Sequence, residues 1–165
     1  MVGTTPGGGN VFNGWVGNVL TKTVAGTNGQ TLYARVCARD RAGNLSNWSG
    51  VSDGIAVDTR RPRLTPLAVI DYCTVLATFD EPVVNANQPS NYSCTRGVRI
   101  IGISPLSGGA RYRVMTTKQV PGTSYTLTVR NLVKDRAGDS LDPALSSSSF
   151  KGGKLTGANA WSLYR

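Results

Sequence analysis

The sequence predicts an all-β protein made of two successive β-sandwich modules, and three observations predict it. Glycine is abundant (20 residues) and charged residues make up only 16% of the 165-residue chain, a mixture that favours strands and turns over helices. Strand-length runs with polar turns recur every eight to twelve residues, the spacing of a sandwich, and no convincing 3.6-residue apolar period appears. Residues 40–44 read DRAGN and residues 135–139 read DRAGD, so one turn is repeated 95 positions apart, about one module's length.

Taken in order, VFNGWV (11–16) and NVLTKTV (18–24) are the first strand candidates. After the turn signal GTNGQ, TLYARVCAR (31–39) alternates, placing Leu32, Ala34, Val36 and Ala38 on one side and Tyr33, Arg35, Cys37 and Arg39 on the other. DRAGN turns the chain, because an aspartate can bond its own backbone and Gly43 can take a positive φ. DGIAVD (53–58) returns. These residues, 1–59, form a first module, and the basic, proline-bearing segment 60–63 reads as a linker.

The second module, 64–152, supplies a fuller set. RLTPLAVI (63–70) leads to a turn at Asp71-Tyr72, and CTVLATF (73–79) points Val75, Ala77 and Phe79 inward. NYSC (91–94), VRIIGI (98–103), ARYRVMTT (110–117) and SYTLTVRN (124–131) follow; after DRAGD, SSSSFKG (146–152) closes the sheet. In the tail, 153–165, ANAWSLY has strand character, with Trp161 and Leu163 on one face.

VGTTPGG, NGQTLYARVCARDRAGNLSNWS and SDGIAVDTRRP resemble the later half of bacterial fibronectin type III-like modules. VLATFDEPV, NYSC and PGTSYTLTVRNLVKDRAGDSLDP resemble the Ig-like modules of bacterial S-layer and other surface proteins. The resemblance covers about residues 2–150. It implies two tandem Ig-like/fibronectin type III-like sandwiches, the first lacking its two N-terminal strands. A sandwich short of strands leaves apolar faces and sheet edges uncovered, so the expectation is that the tail or a neighbouring copy adds a strand to it.

For chemistry the chain offers little. It has no histidine, which removes Ser–His and Cys–His arrangements, and with no CxxC pair a zinc site is not expected. Asp80-Glu81 is the only adjacent acidic pair, and neighbours on a strand face opposite ways. No enzyme is expected. Asp135, Asp139 and Asp142 lie near one turn and are the calcium candidate, although they do not match the EF-hand spacing and the turn itself also accounts for them. Cys73 and Cys94 both fall on inward positions: either they form a bridge worth about 3 kcal/mol, or they are two buried thiols, with Cys37 facing outward. Trp48 could lie between the guanidinium groups of Arg35 and Arg39, resembling the Trp–Arg ladder of some fibronectin-type modules, or stack on a sugar.

The net charge of +9 suits an anionic glycan or cell surface, but scattered charges without a nucleic-acid motif argue against nucleic acid. With no run of about eighteen apolar residues, no membrane span is expected. Taken together, the expectation is a secreted or cell-surface structural or adhesive protein whose partners are other copies of itself or the remainder of a longer chain. It would assemble by strand complementation into a filament or surface layer. The alternative is a carbohydrate-binding accessory module of a secreted glycan-active enzyme.

Overall fold

The computed structural model describes residues 1–154; the tail carrying Trp161 and Leu163 lies outside the described residues. The described residues contain strands and two short 3-10 turns but no α-helix, and the chain divides into two units, residues 1–60 and the part beginning at Arg61.

In the first unit three short strands, β1 (Val2–Gly3), β2 (Thr31–Ala34) and β3 (Ile55–Ala56), form an antiparallel sheet in the order β1-β2-β3. Val2 opposes Ala34, and Leu32 opposes Ile55. The strands expected at 11–16 and 18–24 do not form. Phe12 makes only an isolated bridge to Val2, the residues after it run without a ladder, and Leu20 is fully exposed. The physical reason is the lack of a second layer: an apolar strand is held by the face it packs on, and here Leu32 is the one large apolar side chain buried among the described residues of this unit. The alternation at 31–39 is present but reversed in effect, because Ala34, Val36 and Ala38 face solvent while Tyr33, Arg35 and Cys37 are half-buried.

The second unit packs two sheets around one core. Strands β4 (Ala68–Asp71), β5 (Thr74–Thr78), β8 (Ile100–Pro105) and β9 (Arg111–Thr116) form a sheet in the order β4-β5-β9-β8. Strands β7 (Tyr92–Cys94), β10 (Ser124–Val129) and β12 (Ser147–Lys151) form another, in the order β12-β10-β7. A two-stranded pair joins β6 (Val83–Val84) to β11 (Lys134–Asp135). The core takes Val75, Ala77, Tyr112 and Val114 from the first sheet, Tyr92, Leu127, Val129 and Phe150 from the second, and Val133 and Leu141 from around the second turn. Val75, Ala77 and Phe79 point inward as their period-2 spacing requires.

Two local readings change. The β4–β5 turn is Tyr72-Cys73, where the Asp71 side chain accepts from the Cys73 amide at 2.8 Å. β6 lies between the strands expected at 73–79 and 91–94, and β11 leads into the DRAGD turn; at two residues each they are too short to leave a period. At the end of β12, Gly152 is buried, and a Cβ there would stand 2.2 Å from the Val120 carbonyl oxygen, so only glycine lets the two backbones meet.

Candidate functional site

The most unusual surface in the molecule is the sheet of the first unit. Beyond Ala34, where β2 ends, the chain pairs with a segment that has serine at every third position. Ser52, Ser49 and Ser46 donate their amides to the carbonyls of Ala34, Val36 and Ala38 at 2.9, 2.8 and 3.0 Å. Their hydroxyl oxygens accept from the amides of the same three residues at 3.0, 3.0 and 2.8 Å. Three residues on one side thus match two on the other, and each hydroxyl replaces the carbonyl that a regular strand would offer. The S-x-x-S-x-x-S spacing at 46–52 is visible in the sequence, but it matches neither a strand nor a helix period.

This side of the strand is hydrogen-bonded, but among the described residues its apolar face is covered only at Leu32. Leu32 and Ile55 are register partners and share a face with Ala34 and Val36. Ile55 is 70% exposed and Val36 is 68% exposed. On the other side of the strand, Met1 exchanges two bonds with Arg35, and beyond it the backbone of Cys37 makes no ladder bond among the described residues. The first unit therefore presents an open edge beside an apolar face, the combination that accepts an added strand.

Aromatic–cation stacking stiffens the same unit. The Arg35 guanidinium lies 4.7 Å from the Trp48 ring centroid, as expected. Arg39 stacks instead on Trp15, at 5.9 Å, so Trp48 does not sit between both arginines. Lys22 covers Phe12 at 4.8 Å. Each exposed contact is worth about 0.5–1 kcal/mol, a real contribution where so little apolar surface is buried. The role of Trp15 escaped the sequence because its partner is 24 residues away and no strand links them.

The repeated turns are alike in backbone and different in their acids. Bridges Arg39↔Leu45 and Lys134↔Ser140 sit at equivalent places, and Gly43 and Gly138 have φ of 96° and 99°. In the first turn Asp40 Oδ1 accepts from the Asn44 amide at 2.8 Å, and Oδ2 accepts from the Asn44 side chain at 2.9 Å. The Asn44 side chain, then its amide, hold the Asp40 carboxyl below its ordinary range. In the second turn Asp135 Oδ1 accepts from the amides of Gly138 and Asp139 at 2.7 and 2.8 Å. Asp135 Oδ2 is buried and has no hydrogen-bond partner among the described residues.

The calcium set expected at Asp135, Asp139 and Asp142 does not assemble. Asp142 caps the 3-10 turn at Pro143–Leu145 by accepting from the Ala144 amide, and its other oxygen lies 3.5 Å from Arg63 Nε. Its carboxylate is held by those partners, and the three aspartates form no common cluster among the described residues.

All three cysteines are free, so the Cys73–Cys94 bridge does not form. Cys73 is in the β4–β5 turn and not on an inward strand position, whereas Cys94 lies on β7 of the other sheet, opposite Leu127. Burial raises the thiols of Cys73 and Cys94, with Asp71 adding to the effect at Cys73. A thiol raised in this way is a poor nucleophile.

No protein-family model matches the sequence, and no curated protein matches it. Solved structures do. The crystal structure of the S-layer protein rSbsC(31-844) aligns over 58% of this chain at 25% identity, with a TM-score of 0.50. The N-terminal part of the bacterial S-layer protein SbsC gives the same coverage, identity and TM-score. SbsC domains 1-6 align over 59% at 25% identity with a TM-score of 0.52. The aligned part is 14%, 24% and 14% of those chains, so the match corresponds to a small fraction of their length.

Proposed function

We propose that this chain is a non-catalytic structural unit of a bacterial surface layer, located at the cell surface or secreted, and joined to other copies by a β-strand added to its first unit. The observation that carries this is the open apolar face at Val36 and Ile55 beside the backbone of Cys37, which has no ladder partner among the described residues. The likeness to SbsC, named as an S-layer protein, supports the surface role. A donated strand would supply main-chain bonds to the edge and alternate side chains to the face. Trp161 and Leu163, at alternate positions of the tail, are the proposed donors.

A glycan-binding role has less support, because one face of the Trp48 ring already carries Arg35. Among the described residues, no helix is long and apolar enough to cross a membrane.

The test is a concentration series of the full chain by sedimentation and electron microscopy, with Val36→Asp alongside. Oligomers or fibres that grow with concentration are expected, and the variant should abolish them while the second unit melts unchanged. A monomer at every concentration refutes assembly between copies.

A further inference from the structure

We propose that Asp135 and Glu81 form a binding site for a hard divalent cation of calcium size, a site created by the single difference between the two repeated turns. In DRAGN, position 44 is asparagine, and its side-chain amide donates to the second carboxylate oxygen of Asp40. In DRAGD, position 139 is aspartate, which cannot donate when ionised. The second carboxylate oxygen of Asp135 is left without a donor, and unlike Asp40, which is exposed, Asp135 is only 2% exposed. Bulk water does not reach an oxygen buried to that degree, so the site needs a donor, an internal water or a cation to satisfy it.

What the fold brings there instead is the chain's only glutamate. Register pairs Asp135 of β11 with Val83 of β6, and Glu81 is the residue two before Val83. A carboxylate oxygen of Glu81 lies within 4.8 Å of one from Asp135. Asp135 Oδ1 is already engaged by two amides, so Oδ2 is the oxygen available to a ligand. Two like charges this close repel, and a shared cation reverses the sign of that interaction.

The spacing admits calcium throughout its range. Two oxygens on one ion can be separated by at most twice the metal–oxygen distance, about 4.6–5.2 Å for calcium and about 4.0–4.2 Å for magnesium. A separation of up to 4.8 Å is bridged by calcium without movement. The chain lacks histidine, and Cys73 and Cys94 are raised thiols, so the ligands offered are hard oxygens. Bound there, the ion would tie the β6 strand to the β11 turn.

The experiment is a melting and calorimetric titration of the full chain, stripped with chelator, against calcium chloride and then magnesium chloride. Calcium in the millimolar range should raise the second unit's melting temperature by several degrees and release measurable heat. Glu81→Gln and Asp135→Asn should each weaken calcium binding by tenfold or more; the glutamine variant leaves the turn intact and covers the case in which Asp135→Asn unfolds. Asp142→Asn, which alters an aspartate outside the site, should bind as the natural chain does. Absence of any calcium-dependent shift, or a shift undiminished in Glu81→Gln, overturns the site. An equal shift with magnesium overturns its assignment to calcium. Assembly between copies is not read out here, so either proposal can fail alone.

Discussion

Replacing Asp139 by asparagine would rewrite the second turn as DRAGN, and the first turn shows what to expect. There the Asn44 side chain reaches Asp40 Oδ2 at 2.9 Å while its amide reaches Oδ1 at 2.8 Å. The second turn already has the equivalent amide bond, from Asp139 to Asp135 Oδ1 at 2.8 Å, and the same backbone closure, from the Asp135 amide to the Asp139 carbonyl at 3.0 Å. The introduced carboxamide would therefore be placed to donate to the unpartnered, buried Oδ2. Leaving such a group unsatisfied costs about 1–3 kcal/mol. Asp139→Asn should recover at least about 1 kcal/mol of that when no divalent cation is present. For a unit of this size, about 1 kcal/mol corresponds to a rise of roughly 4–8 °C in melting temperature. The assay is calorimetric or circular-dichroism melting in chelator, with the reverse change, Asn44→Asp, as comparison. Because Asp40 is exposed and water can replace the lost donor, that change should stay within about 0.5 kcal/mol. An Asp139→Asn variant that melts at or below the natural chain in chelator would refute the assignment of the unsatisfied oxygen.

Ser49→Ala removes the acceptor for the Val36 amide and should cost about 0.5–1.5 kcal/mol, read as faster hydrogen exchange at Val36 with the second unit unchanged. Gly152→Ala places a Cβ 2.2 Å from the Val120 oxygen; a loss of about 1–3 kcal/mol should appear as a lower melting temperature of the second unit. Leu127→Ala, at a position with no exposed surface, should cost about 2–5 kcal/mol in urea unfolding. Burial, then the neighbouring Tyr112, raise the Tyr92 phenol above its ordinary 10.0. A raised phenol contributes stability that is fully present below 10.0 and is lost as pH climbs from there through the higher folded value. Urea midpoints should therefore fall above about pH 10, and should fall less in Tyr92→Phe.

The second unit was largely legible in the sequence. Its strands are five or six residues long where they matter most, each carries a period-2 pattern, and the buried members, such as Val75, Ala77, Leu127 and Val129, are the ones that pattern selects. The turns were also legible, because Asp40 and Asp135 act locally on amides three or four residues ahead, within reach of any sequence window. What the tertiary structure decided is everything that depends on a partner distant in the chain. Apolar character at 11–24 suggested strands that no opposing face among the described residues holds, and the alternation at 34–38 faces water instead of a core. The thiols of Cys73 and Cys94 stay apart because one falls in a turn, a shift of a single position that parity counting does not detect. Likewise, Glu81 and Asp135 are 54 residues apart, and only the β6–β11 register brings their oxygens together. Composition and local periodicity set which residues prefer extended backbone and where it turns; which faces are covered, and which charges meet, follow from long-range pairing that no local preference encodes.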